Sequence, residues 1–154
     1  MKFIVDAGFI AQRDERAKVY NPGNRSEDQL KRDIECEIHE YMMIREGVWE
    51  DHESWKVDGV APGIGNVDVK FIDKYYNIAH KKMAYLCWQS THVHYFVFME
   101  WISRPDRLLV EGDEVEYRQV GVLSYDEFLK HVRPSGYNTG YYVDVRKLVR
   151  ARSN

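Results

Sequence analysis

In the stretch NVDVKF, Val67, Val69 and Phe71 alternate with Asp68 and Lys70, the period-two pattern of a strand with one apolar and one polar face. KVDGV upstream carries the same pattern, and the intervening APGIG is rich in turn formers, so the two segments predict a hairpin. From about Glu27 to about Arg45 the period lengthens to that of a helix. Leu30, Ile34, Tyr41 and Ile44 form one stripe, Ser26 stands at the N-cap with Gln29 behind it as in a capping box, and Gly47 is the stop. Glu37 falls in the middle of this stripe, whereas Glu35 and Glu40 lie well off its centre. KFIVDAGFI reads as a short strand or buried segment, YNPGNRS as a turn, and DKYYNIAHKKMAYLCWQ as partly helical. VHYFVFMEWI is a strand dense in β-branched and aromatic residues, LLVEGDEVEYRQVGVLS a hairpin turning at Gly112-Asp113, SYDEFLKHV a helix capped by Ser124, and GYYVDVRKLV a last strand. The order predicts one mixed α/β (α+β) domain over residues 1–154, a central mixed β-sheet flanked by helices, with no repeat and no linker.

Composition narrows the class. The chain has 154 residues, 44% of them hydrophobic and 31% charged, enough for a globular domain with a core. No apolar run approaches the roughly 20 residues that span a bilayer. The opening MKFIVDAGFIA is short and carries Asp6 in its apolar run, which makes it a poor signal peptide. Two cysteines, Cys36 and Cys87, are too few for a disulfide scaffold, and a reduced cytoplasmic setting is the simplest expectation. The net charge of −3 argues against bulk electrostatic binding to nucleic acid but hides an uneven distribution: residues 27–53 are acidic and the tail over about 146–154 is basic.

The hairpin carries the candidate chemistry. Folding it at Gly63 so that Val60 pairs with Asn66 sets Asp58 opposite Asp68 and Lys56 opposite Lys70. The two carboxylates then lie about 5 Å apart at Cβ, where like charges repel. A cation between them turns the repulsion into a site, and carboxylate oxygens suit Mg²⁺ or Mn²⁺. The plainer arrangement leaves both acids in water on an exposed sheet face. Glu37 adds weight, because a glutamate on the apolar stripe of a helix is costly unless a metal, a lysine at the sheet edge or an internal salt bridge meets it.

Together these residues resemble the PD-(D/E)xK nuclease superfamily, whose core pattern is a helical acid, an Asp on one strand and (D/E)-x-K on the next. Glu37 matches the helical acid, Asp58 the first strand acid, and Asp68-Val69-Lys70 the tripeptide, within residues 27–75. The step of ten residues from Asp58 to Asp68 is similar to that in small phage-type Holliday-junction resolvases of the superfamily. Val57 stands where the name-giving Pro often sits, and Asp68 takes the place of the commoner Glu. The resemblance implies a restriction-endonuclease-like fold and a Mg²⁺ or Mn²⁺ ion held by Asp58, Asp68 and the Val69 carbonyl. Glu37 would bind the ion directly, through water, or hold a second one. Lys70 would orient or deprotonate the attacking water, or neutralise charge on the phosphoryl oxygens. The reaction implied is hydrolysis of phosphodiester bonds in DNA, branched or structured forms included. A homodimer follows from the resolvase likeness, since two cuts in opposite strands need two active sites. The superfamily also has inactive members, so the alternative is a non-catalytic accessory module that binds nucleic acid or protein.

Contacts to nucleic acid would come from Lys74, Tyr75, Lys81 and Lys82, interleaved with Tyr76, His80 and Trp88, and from Arg146 and Lys147 with Arg150 and Arg152. The plainer readings are an amphipathic helix with a wet basic face and a solvated chain end. Four other features compete. His92 and His94 fall on one strand face with metal-ligand spacing but lack a third ligand. IVDAG near the start resembles the first strand of PIN-domain ribonucleases, which would make Asp6 a metal acid. Glu50, Asp51, His52 and Glu53 form an acidic run expected to be a solvated loop, and Val143–Val145 reads as an edge or final strand.

Overall fold

Strands rich in Val, Phe and Tyr form the centre of the main sheet, and helices pack their apolar residues onto its faces. The computed structural model describes residues 1–52, 57–71, 77–80, 92–134 and 141–144. In chain order the elements are β1 (Lys2–Ile4), α1 (Ala7–Val19), α2 (Glu27–Ile34), α3 (Ile38–Arg45), β2 (Gly59–Ala61) and β3 (Gly65–Phe71). β4 (Asn77–His80), β5 (Tyr95–Ser103), β6 (Glu114–Ser124), α4 (Tyr125–His131), β7 (Arg133–Pro134) and β8 (Tyr141–Asp144) follow. The main sheet has five strands in the order β1-β6-β5-β3-β2. β3 and β5 run parallel and every other pair is antiparallel, so the chain crosses over between Phe71 and Tyr95, as a parallel pair requires. β4, β8 and β7 form a second, antiparallel sheet with β8 in the middle. The architecture is the mixed α/β one expected.

Both faces of the main sheet are covered. On one, Val67, Val97, Met99, Val115 and Tyr117 pack with Phe9 of α1 and with Ile38 and Met42 of α3. On the other, Phe96 stacks against Phe128 of α4 with ring centroids 4.2 Å apart, and Tyr125 adjoins both. Among the described residues no helix is long and apolar enough to cross a membrane.

Four expectations need correction. The opening segment is not only a strand: α1 follows β1 at once. Asp6 caps it, its Oδ1 accepting the Phe9 N–H at 2.8 Å. No apolar stripe announces this helix, because Phe9 and Arg13 are the residues it buries. The single helix over 27–45 is broken by a 3₁₀ turn at Glu35–Glu37, although Ser26 caps it by accepting the Gln29 N–H at 3.1 Å. LLV at 108–110 is not a strand: β6 pairs with β5, and the turn at Gly112 leads into β6. β8, carrying Val143 and Asp144, is the last strand as expected, but it lies in the middle of its sheet and not at an edge.

Candidate active site

The hairpin adopts the expected register. Val60 pairs with Asn66 and Gly59 with Val67. Asp58 lies one residue beyond the ladder, its N–H donating at 3.0 Å to the carbonyl of Val67, the residue that Gly59 faces, and it is near enough to Asp68 to feel its charge. Its side chain turns back into the strand, and Oδ2 accepts the Val69 N–H at 2.6 Å. Lys70 Nζ lies 2.8 Å from Asp68 Oδ1. The charged face is not wet, as alternation alone predicts. Asp68 is only 2% exposed, because the parallel neighbour β5 sets Phe96 and Phe98 beside Asp68 and Lys70. Lys56 lies outside the described residues.

The helical acid at this hairpin is Glu40, three residues beyond the expected Glu37. Glu40 and Asp58 hydrogen-bond to each other. Glu40 is 7% exposed. Burial above all, then the charges of Asp58 and Glu37, hold its carboxyl far above the usual carboxylate range, with Arg16 opposing. Asp58, half-buried, is also held above the usual range, by burial and then by the Asp68 charge, while Lys70 and the Val69 N–H offset part of the rise. Burial and proximity therefore favour a proton held between Glu40 and Asp58. Glu37 points to other partners. Its Oε2 accepts from Arg16 Nη1, and its Oε1 accepts from the Tyr20 hydroxyl at 3.0 Å. Arg16 Nη1 also reaches Glu40 Oε1 at 3.4 Å. Glu40, Asp58 and Asp68 thus form a row of acids, with Arg16 at one end and Lys70 at the other.

The 3₁₀ turn explains the exchange. It alters the angular advance per residue, so positions after Glu35 no longer follow the stripe set by Leu30 and Ile34. Glu35, expected off the stripe, is fully buried. It accepts from Arg13 Nη1 at 2.7 Å, Arg104 Nη2 at 2.6 Å and the Leu109 N–H at 2.8 Å. The one sequence signal for Glu40 is its place a helical turn after Glu37. His39, beside Glu40, hydrogen-bonds the Tyr117 hydroxyl through Nδ1 at 3.1 Å and meets Trp49 edge-on. Burial, with the N-terminal ammonium adding to it, pushes its pKa down to about 4, so it is neutral.

The competing features resolve into structural parts. His92 and His94 precede β5 instead of sharing a strand face. His94 Nδ1 accepts the Asn66 N–H at 2.9 Å, and the His92 carbonyl accepts from Asn66 Nδ2 at 2.6 Å. Asp6, besides capping α1, accepts from the Tyr41 hydroxyl at 2.8 Å and Arg45 Nη1 at 2.5 Å. Glu50 pairs with Val60 through backbone hydrogen bonds and extends the edge of β2, while Glu50 and Asp51 stay exposed as expected of a solvated run. Lys74, Tyr75, Lys81, Lys82, Arg146 and Lys147, with Cys87, lie outside the described residues.

The donor set of Asp58, Asp68 and Glu40 is all carboxylate oxygen, the chemistry that hard divalent cations select. Two of the three are held above their ordinary pKa by burial first, and then by neighbouring carboxylates, Asp58 and Glu37 for Glu40 and Asp68 for Asp58, a repulsion that a cation relieves. As they stand, the acids are satisfied by the Val69 N–H, Lys70 and each other. Among the described residues no three His, Cys, Asp or Glu side chains are already set as a metal cage. Compared with protein-family models, curated proteins and solved structures, the chain matches none of them.

Proposed function

We propose that this protein is a metal-dependent nuclease that hydrolyses phosphodiester bonds in DNA. The observation that carries the reading is the hairpin: it brings Asp58 near Asp68, with Lys70 two residues on, and Glu40 joins them from α3. This is the acid–acid–lysine order of the superfamily that the sequence resembles, with Glu40 in the role first given to Glu37. Asp58, Asp68 and Glu40, with the Val69 carbonyl, would hold Mg²⁺ or Mn²⁺. Such an ion supplies charge stabilisation at the phosphoryl oxygens and a lowered pKa for water. Lys70, in reach of Asp68, would orient the attacking water or neutralise charge on the phosphate. Glu37 is a positioning residue in this scheme, because Arg16 and Tyr20 engage its two oxygens.

A second reading has its own support. The acids are satisfied without a cation, which suits a binding module that keeps the constellation but not the reaction. One assay separates the two. Linear duplex, single-stranded and four-way-junction DNA are incubated with Mg²⁺ or Mn²⁺, with EDTA as control. Metal-dependent cutting is expected, reduced at least a hundredfold in Asp58→Ala, Asp68→Ala and Lys70→Ala and more in Glu40→Gln than in Glu37→Gln. Cutting of the junction alone selects a resolvase with a dimeric site. Equal cutting by Asp58→Ala, Lys70→Ala and the parent overturns the nuclease reading, and no cutting of any substrate favours the binding module.

A further inference from the structure

Arg16 lies outside the segment that resembles the nuclease superfamily, on the unexpected helix α1. Its guanidinium is engaged at one nitrogen: Nη1 donates to Glu37 and reaches Glu40 Oε1 at 3.4 Å. Nε and Nη2 make no hydrogen bond among the described residues, and the side chain keeps 31% of its surface exposed. The fork is therefore fixed at one corner and open along one edge. Glu37 is itself fixed by the Tyr20 hydroxyl at 3.0 Å, so the guanidinium is held in orientation by a partner that cannot easily turn away. An arginine that served only to neutralise Glu37 would be expected to close a two-point pair with it. Here Glu37 gives its second oxygen to Tyr20 instead. A planar guanidinium with a free Nε–Nη2 edge matches a pair of phosphate oxygens.

Resting on the nuclease reading above, we propose that Arg16 is a substrate-binding residue that contacts a backbone phosphate of the DNA, with Glu37 and Tyr20 as the positioning residues that aim it. It stands at the Glu40 end of the acid row, opposite Lys70. The phosphate it takes is a neighbour of the one hydrolysed, and Lys70 serves the reacting phosphate.

The test uses the full chain and a fluorescein-labelled linear duplex, with Ca²⁺ in place of Mn²⁺ to measure binding without turnover. Arg16→Ala is expected to weaken duplex binding about tenfold and to lower the slope of log K against log salt by about 0.9, the signature of one lost phosphate contact. In the Mn²⁺ cleavage assay of Arg16→Lys, which keeps the charge beside Glu40, KM rises while kcat stays within about threefold. Arg16→Lys keeps a charge beside Glu37 without the open edge. It should fold as the parent does, lose part of the affinity and retain the salt slope. Tyr20→Phe and Glu37→Gln should weaken binding less than Arg16→Ala. Mn²⁺ affinity, measured by calorimetry, should be unchanged in Arg16→Lys. Unchanged duplex affinity and salt slope in both Arg16 variants, with a parent that binds Mn²⁺ and cleaves, overturns the role of Arg16 and leaves the nuclease reading standing. A parent that binds neither Mn²⁺ nor duplex overturns both.

Discussion

At the scale of single residues, Asp113 shows how one carboxylate can close a corner. Arg107 donates to it from both Nη1 and Nη2, at 2.7 and 2.9 Å, and the Val110 N–H donates at 2.8 Å. Its carbonyl accepts the Val5 N–H at 2.8 Å, and Gly112 N–H returns a bond to the Val5 carbonyl at 2.8 Å. The corner thus ties the chain after β1 to the start of β6. The Arg107 hydrogen bonds, and then the Val110 N–H, hold the Asp113 carboxyl down to about 2, against an ordinary 3.8. The folded state binds this proton more weakly than the unfolded one. Its contribution is therefore complete above the ordinary value and is lost as pH falls through about 2. Arg107 is more than half exposed, so solvent screens the pair and the contribution is small. Asp113→Asn should be slightly less stable than the parent in urea denaturation at pH 7, and the gap should close between pH 4 and pH 2. A gap of the same size at both ends would assign the effect to packing and not to charge. Asp113 was legible only as a turn residue. The acids of the helix were legible as a set but not in their roles: the stripe singled out Glu37, while the 3₁₀ turn that sends Glu40 to the hairpin and Glu35 to the core leaves no mark in an apolar period.

At the scale of elements, the β2–β3 hairpin is the part that was most legible. The valine–charge alternation and the APGIG turn specify the pairing of Val60 with Asn66, because a slip by one residue would reverse every side chain. Less legible was the partner on its other side. β5 is brought parallel to β3, His94 donating its N–H to the Asn66 carbonyl at 2.9 Å and accepting the Asn66 N–H on Nδ1. Gly65 makes that approach possible. Its φ is +113°, a conformation that side chains rarely adopt, and a Cβ there would lie 2.6 Å from His94 Nδ1. Gly47 supplies a control, with φ +72° and nothing within 4 Å of an added Cβ. Gly47→Ala should cost about 1 kcal/mol, from backbone strain alone. Gly65→Ala should cost about 2–3 kcal/mol, since the strain is joined by displacement of His94. Under the proposed nuclease reading, the same variant should show a fall in kcat for DNA cleavage, because Asp68 and Lys70 sit in the strand that His94 anchors. Equal losses of stability in the two variants would mean that the His94 contact is not needed to place β3.

At the scale of the whole molecule, the element that joins distant parts is ionic. Glu35 receives Arg13 from α1, Arg104 from the segment after β5, and the Leu109 N–H, and Arg13 Nη1 also donates to the Leu109 carbonyl at 2.7 Å. Helix α1, the break between α2 and α3, and the loop into β6 meet at one carboxylate. The mixed sheet and the capped helices could be read from local patterns, such as the Ser124–Glu127 capping box that starts α4. The triad could not, because its members are separated by 22 and 69 positions and each reads locally as a solvated charge. The same meeting point positions α1, and with it Arg16, against α3. Burial of three charged groups in water-poor surroundings is tolerable only while all of them are paired. Removing the carboxylate leaves two guanidiniums facing each other. Glu35→Gln should therefore lose about 3–5 kcal/mol, which for a chain of this size lowers Tm by roughly 8–15 °C. Arg104→Ala should lose less, because Arg13 and the Leu109 N–H still satisfy Glu35. Thermal denaturation of both variants checks the order. If Arg104→Ala proved the more damaging of the two, the centre of the network would be Arg104 with its contact to the Trp101 ring at 5.0 Å, and α1 would be held by its own apolar contacts instead.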